Sequence, residues 1–149
     1  MSATRLPSPA RLLLILLLCL PAGGRLAAGT LRIRMIRATH DEAAGVAPAL
    51  QDVLPVLRST LAFRNYTLDA DEALPLPATG ELVRLGVYQV ICEGDAARLT
   101  VQILHGSRRM LRTVATVRPD QPLILGGFPA RPEGTRMFIL TVVPEGPPR

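Results

Sequence analysis

The sequence predicts an α+β domain that is mostly β, an antiparallel meander or small sandwich carrying one short helix. Two observations predict it. Apolar, often β-branched runs recur through the second half and are separated by short connections rich in Gly, Pro and Asp. Parallel neighbours need crossovers of a dozen residues or more, so such short connections imply antiparallel pairing. A single run ahead of them shows apolar spacing of the helical kind.

From residue 30 onward the elements follow in order. Leu31, Ile33 and Met35 alternate with Arg32 and Arg34, the period of a half-buried strand with a charged outer face. Thr39-His40-Asp41-Glu42 has the form of a capping box, but Gly45 and Pro48 follow too soon for a long helix. A better helix starts at Pro48, where Leu50, Val53, Leu54, Leu57 and Leu61 fall on one face, and Pro55 either kinks or restarts it. Strands are then expected within 82–92, 98–105, 110–117, 123–127 and 137–143, with a frayed tail over 144–149.

The N-terminus reads as a secretory signal over residues 1–24. Arg5 and Arg11 precede the apolar run Leu12 to Leu20, and Pro21-Ala22-Gly23-Gly24 supplies small residues for cleavage, with Ala28 as the alternative cut. The run is well short of the roughly 20 apolar residues that span a membrane. Cys19 follows three leucines, which raises lipidation as an alternative to simple membership of the apolar run. The chain has two cysteines, and after cleavage Cys92 stands alone, so the domain at 30–143 must hold by its core without an internal disulfide. A chain of this size can bury about two-thirds of its surface, which is sufficient.

All 17 basic residues are arginine, and the formal net charge is +5. Loss of Arg5 and Arg11 leaves 15 arginines against 12 acids, or +3. That mild excess, with no Trp and few aromatics, lacks the stacking platform of a single-strand binder, so no nucleic acid is expected as a partner.

Leu123-Ile124-Leu125-Gly126-Gly127-Phe128, followed by a loop and the strand at Met137 to Val143, resembles the apolar strand ending in Gly-Gly near the end of the outer-membrane secretin domain. The stretch from Asp52 through Leu57 to Leu61, Phe63, Tyr66 and Leu68 is similar to a pattern of small exported proteins of Gram-negative bacteria. The chain is too short for a secretin pore, so no pore function carries over. The resemblance implies an envelope protein accessory to an export or surface-assembly system. Independently of it, Gly126-Gly127 reads as a bulge or strand end where the backbone meets a neighbour closely.

Catalytic candidates are few. His105 and Ser107 flank a tight turn and would need an acid such as Asp95 or Asp120 to act as a hydrolase. His40, Asp41 and Glu42 diverge as adjacent side chains and lack a second cluster, so no metal site is expected, and no G-x-G-x-x-G or Walker loop suggests a cofactor. Cys92 shares a strand face with Tyr88 and Val90 and reads as a small core residue. Asn65-Tyr66-Thr67 has the form of a glycosylation sequon.

The expected function is therefore a non-enzymatic binding or assembly module, exported to the periplasm or outer membrane. Its partner is expected to be an envelope protein, or else an anionic lipid headgroup. The alternatives are a small secreted hydrolase and a membrane-anchored lipoprotein. Binding candidates are Arg108, Arg109 and Arg112 at one hairpin, whose guanidinium forks suit carboxylates and phosphates, with Arg32, Arg34 and Arg37 on the first strand. Leu123, Ile124, Gly126, Gly127 and Phe128 form an uncharged segment suited to an inner strand or to strand addition.

Overall fold

The computed structural model describes residues 29–42 and 46–145, so the signal segment, Cys19 and the last four residues lie outside the described residues. Eight strands are present: β1 (Gly29–Thr39), β2 (Asn65–Leu76), β3 (Ala78–Leu85), β4 (Tyr88–Gly94), β5 (Leu99–His105), β6 (Arg108–Ala115), β7 (Leu123–Pro129) and β8 (Thr135–Pro144). They make two four-stranded antiparallel sheets, ordered β2-β1-β8-β7 and β3-β4-β5-β6. The domain is thus mostly β, with one short helix. It is a sandwich whose second sheet is a plain meander.

The central strands of the first sheet are buried on both faces. Leu31, Ile33 and Met35 of β1, with Phe138, Leu140 and Val142 of β8, face the second sheet and meet Leu85, Tyr88, Val90, Cys92, Leu99, Val101 and Ile103. On the opposite face, Ile36, Ala38, Met137 and Ile139 pack under Leu50, Val53, Leu54 and Leu57. A strand apolar on both faces loses its alternation and reads as a continuous run, as Met-Phe-Ile-Leu does at 137–140. Each fully buried Leu, Ile or Phe here contributes roughly 1.5–3 kcal/mol.

The expected helix is built in two pieces. Pro48–Leu50 forms a 3₁₀ turn, and α1 (Leu54–Thr60) restarts with Pro55 in its first turn, where a missing N–H is harmless. Leu50, Val53, Leu54 and Leu57 nevertheless point the same way, because the restart preserves the apolar face. The Tyr66 hydroxyl donates to the Leu57 carbonyl at 3.3 Å, tying α1 to β2. This layer covers the outer face of the first sheet, and among the described residues no helix or strand lies over the meander's outer face, so of the two expected arrangements the sandwich is the one formed.

Three local expectations are corrected. Residues 82–92 hold two strands, β3 and β4, split by a turn at Gly86-Val87. Thr39 closes β1 and caps no helix. Arg34 does not lie on a charged outer face but is fully buried beneath the 3₁₀ turn and the residues that follow it. Its guanidinium holds Asp52 through two bonds, Nη1 to Oδ1 at 2.7 Å and Nη2 to Oδ2 at 3.0 Å, and also donates to the Ala49 carbonyl at 2.9 Å.

Candidate functional site

Strand alternation and register decide which charged side chains share a surface. On the second sheet, Val83, Val90, Ile103 and Leu111 form an inward row, so their neighbours along each strand face outward. Arg84, Gln89, Leu104 and Arg109 make one outward row, and Leu82, Ile91, Gln102 and Arg112 make the next. Strand spacing separates Arg84 from Arg109 by about 14 Å, and Arg109 from Arg112 by about 7 Å. All three arginines are exposed, and among the described residues none forms an ion pair.

Aliphatic residues on the same face are also open to water: Leu82, on the edge strand, is 46% exposed, and Val114, one row beyond Arg112, is 52%, while Ile91 and Leu104 between the arginines are half-buried. Thr79, Glu93 and Thr100 complete that third row, so these rows carry three arginines against one carboxylate. No described helix or strand lies over it. This surface can offer guanidinium forks to carboxylates or phosphates while aliphatic groups between them bury apolar area.

The structure divides the predicted binding residues. Arg109 and Arg112 share this face, and an irregularity between Ile103 and Leu104 brings Arg109 beside Leu104. Arg108 pairs with His105 at the hairpin tip instead. Arg32 binds Asp71 across β1 and β2, its Nε donating to Oδ1 at 2.9 Å, and this contact holds the Asp71 carboxyl below the usual range. Sequence reasoning missed Arg84, a lone arginine whose place in one row with Arg109 depends on the pairing of four strands.

The segment Leu123 to Phe128 belongs to the other sheet. As β7 it pairs with β8 alone and forms that sheet's edge, so it is not an inner strand. Its side chains are already engaged: Leu123, Leu125 and Phe128 pack on the sandwich core and Ile124 on the core under α1. The Phe128 ring lies 6.0 Å from Tyr88 and 6.2 Å from Phe138. Gly126 and Gly127 sit at a register irregularity with φ of +132° and +104°. A Cβ on Gly126 would also stand 2.9 Å from the Arg136 carbonyl oxygen, which accounts for the glycine pair by backbone geometry and close approach.

The serine–histidine arrangement is not assembled. The His105 ring lies tilted against Tyr88 with centroids 5.0 Å apart and lines a cleft with Arg131 and Arg136, while Ser107 sits in the exposed turn. Asp95 accepts from the Arg98 N–H at 2.9 Å in the β4–β5 loop, and Asp120 lies in the β6–β7 loop. Both loops are at the opposite end of the second sheet from His105, about 20 Å away along seven-residue strands.

His40, Asp41 and Glu42 diverge as expected of neighbours in an extended segment. His40 stacks on Phe63 at 4.9 Å, Glu42 pairs with Arg64, and Asp41 faces a separate cleft. Among the described residues no three His, Cys, Asp or Glu groups could together hold a metal ion. Cys92 is fully buried, and burial with the nearby Glu81 carboxylate pushes its thiol up to about 12. Asn65 is 7% exposed, so on the folded domain the sequon asparagine presents little surface to a modifying enzyme.

No family model, curated protein or solved structure matches this chain.

Proposed function

We propose that this chain is an exported, non-enzymatic binding or assembly module of the cell envelope, which engages an acidic protein partner through the outer face of its second sheet. The observation that carries the reading is the grouping of Arg84, Arg109 and Arg112, unpaired among the described residues, with exposed aliphatic side chains on the sheet face that no described element covers. Rows of Gln, Leu and Ile between the arginines suit the side chains of a protein surface. A lipid bilayer would instead favour aromatic anchors, and the chain has no Trp. Export is supported by the basic-then-apolar N-terminal segment and its small-residue cleavage stretch. The Gly-Gly strand motif supports a role accessory to export or surface assembly.

The β7 edge favours a second mode of contact. Its backbone between Leu123 and Leu125 is paired on one side alone, so it can accept a strand even though its side chains face inward.

The test compares the chain with the triple variant Arg84→Glu, Arg109→Glu, Arg112→Glu in retention of envelope proteins and of protein-free anionic vesicles. A protein captured by the unaltered chain, released as salt rises and lost in the variant, supports the reading. Retention indifferent to charge reversal refutes it, and retention on vesicles alone transfers the face to lipid. Fractionation with mass measurement tests export: recovery in the cytosol with residues 1–24 intact would sink that part.

A further inference from the structure

At the end of the first sheet, away from the arginine face, the sandwich side of β1 and β2 carries four polar residues in two cross-strand pairs. Thr39 stands opposite Asn65, and Arg37 opposite Thr67. They form the floor of a cleft of about 340 Å³, walled by Asp41, Pro132 and Glu133. That volume lies at the small end of ligand sites.

The cleft is held by backbone contacts on both sides. Arg64 N–H donates to the Thr39 carbonyl at 3.0 Å, fixing where β2 begins against the end of β1. The β7–β8 loop is closed by Ala130 N–H donating to the Gly134 carbonyl at 3.0 Å. Gly134 lies so close to β1 that a Cβ there would stand 2.6 Å from the Ala38 carbonyl oxygen. The wall bearing Pro132 and Glu133 is therefore seated directly on the strand that supplies the floor.

Two features of the cleft call for a ligand. Asn65 is more than nine-tenths buried, yet its Oδ1 has no hydrogen-bond partner among the described residues, and the neighbouring Thr39 Oγ1 has none either. Native structures rarely leave such atoms unpaired. In addition, Arg37, Asp41 and Glu133 each lack an ion-pair partner among the described residues. The lining thus holds two carboxylates and one guanidinium, an acidic balance within a chain of net charge +5.

Acceptors exceed charged donors here, so the complementary ligand brings its own cationic donor, and the single guanidinium sets where its oxygen must lie. We propose that this cleft binds an α-ammonium group together with its adjacent carbonyl or carboxylate oxygen, as carried by a free amino acid or by the N-terminus of a peptide. The ammonium donates to Asp41, Glu133 and the oxygens of the floor. The adjacent oxygen accepts from Arg37 and Thr67.

The experiment is an NMR titration of the full chain with L-alanine, L-alanyl-L-alanine, N-acetyl-L-alanine and glucose. The expected result is saturable shifts at Arg37, Thr39, Asn65, Thr67 and Glu133, with affinity on the order of millimolar, from one or both of the first two probes and not from the last two. Binding by alanine assigns a free amino acid, and binding by the dipeptide alone assigns a peptide N-terminus. Glu133→Gln and Asp41→Asn, at exposed positions, should each weaken binding about fivefold or more without moving the unfolding midpoint. Equal binding by the acetylated probe, preference for glucose, unchanged affinity in both variants, or no shift with any ammonium probe at about 20 mM would overturn the proposal.

Discussion

Replacing Arg34 or its partner tests how the outer layer is fastened to the first sheet. Arg34 is fully buried, whereas the Asp52 side chain is 58% exposed, so the two ends of the pair stand in different solvents. Asp52→Asn keeps the shape but leaves the guanidinium with the Ala49 carbonyl and the Thr141 hydroxyl, at 2.9 and 3.3 Å. An uncompensated buried charge costs about 3–5 kcal/mol, but water around Asp52 already screens this pair, so about 1–2 kcal/mol is expected. Arg34→Met removes the charge while keeping an aliphatic stem, and the freed Asp52 stays hydrated; about 1 kcal/mol or less is expected. Arg34→Ala also opens a cavity between the sheet and the outer layer, for about 3–4 kcal/mol.

Urea unfolding followed by far-ultraviolet circular dichroism reads this order. With a slope of about 2 kcal/mol per molar, Asp52→Asn should lower the midpoint by about 0.5–1 M. Hydrogen bonding to Arg34 holds the Asp52 carboxyl below the usual carboxylate range. A group depressed in the folded state contributes stability above its unfolded pKa, near 3.9, and loses it as pH falls through the folded value. The gap between wild type and Asp52→Asn should therefore be full at pH 7 and shrink below about pH 4. Arg34→Met proving as damaging as Arg34→Ala, or a gap independent of pH, would refute this account of the pair.

Two other outcomes follow from the geometry. Gly126→Ala should destabilise by about 2–3 kcal/mol and Gly127→Ala by about 1, since both need positive φ but Gly126 alone faces a backbone oxygen at 2.9 Å; equal losses in thermal unfolding would remove the close approach as a cause. Cys92, buried and with its thiol pushed up to about 12, should resist a disulfide reagent at pH 8 in the native state and react promptly in urea; rapid labelling of folded protein would contradict its place in the core.

Much of the β architecture was legible because its signals are local. The hairpins β4–β5 and β5–β6 announce themselves by short turn-forming connections, and Tyr88, Val90 and Cys92 alternate cleanly because their strand is wet on one side. β2 was not legible. Its Asp69-Ala70-Asp71-Glu72 stretch forms a largely exposed sheet edge, where charge replaces the apolar alternation that marks a strand. Pro55 announced a break in the helix, but whether the chain kinks or restarts there depends on what the following turn packs against.

Sequence by itself determined the fold class, the apolar face of residues 50–57, the core place of Cys92 and the glycine-dependent backbone at 126–127. These follow from periodicity and from the steric freedom of single residues. Tertiary structure alone decided which arginines act together. Arg32 and Arg34 look alike in the strand pattern, yet one pairs with Asp71 at the sheet surface and the other lies under the outer layer. Arg84 and Arg109 stand 25 positions apart in the chain and share a row through the pairing of β3, β4, β5 and β6. Likewise Thr39 and Asn65 meet because β1 and β2 pair across the intervening segment that forms the covering layer. The physical reason is that register and layer order are long-range quantities: they are set by how whole faces bury against one another, which no window of neighbouring residues contains.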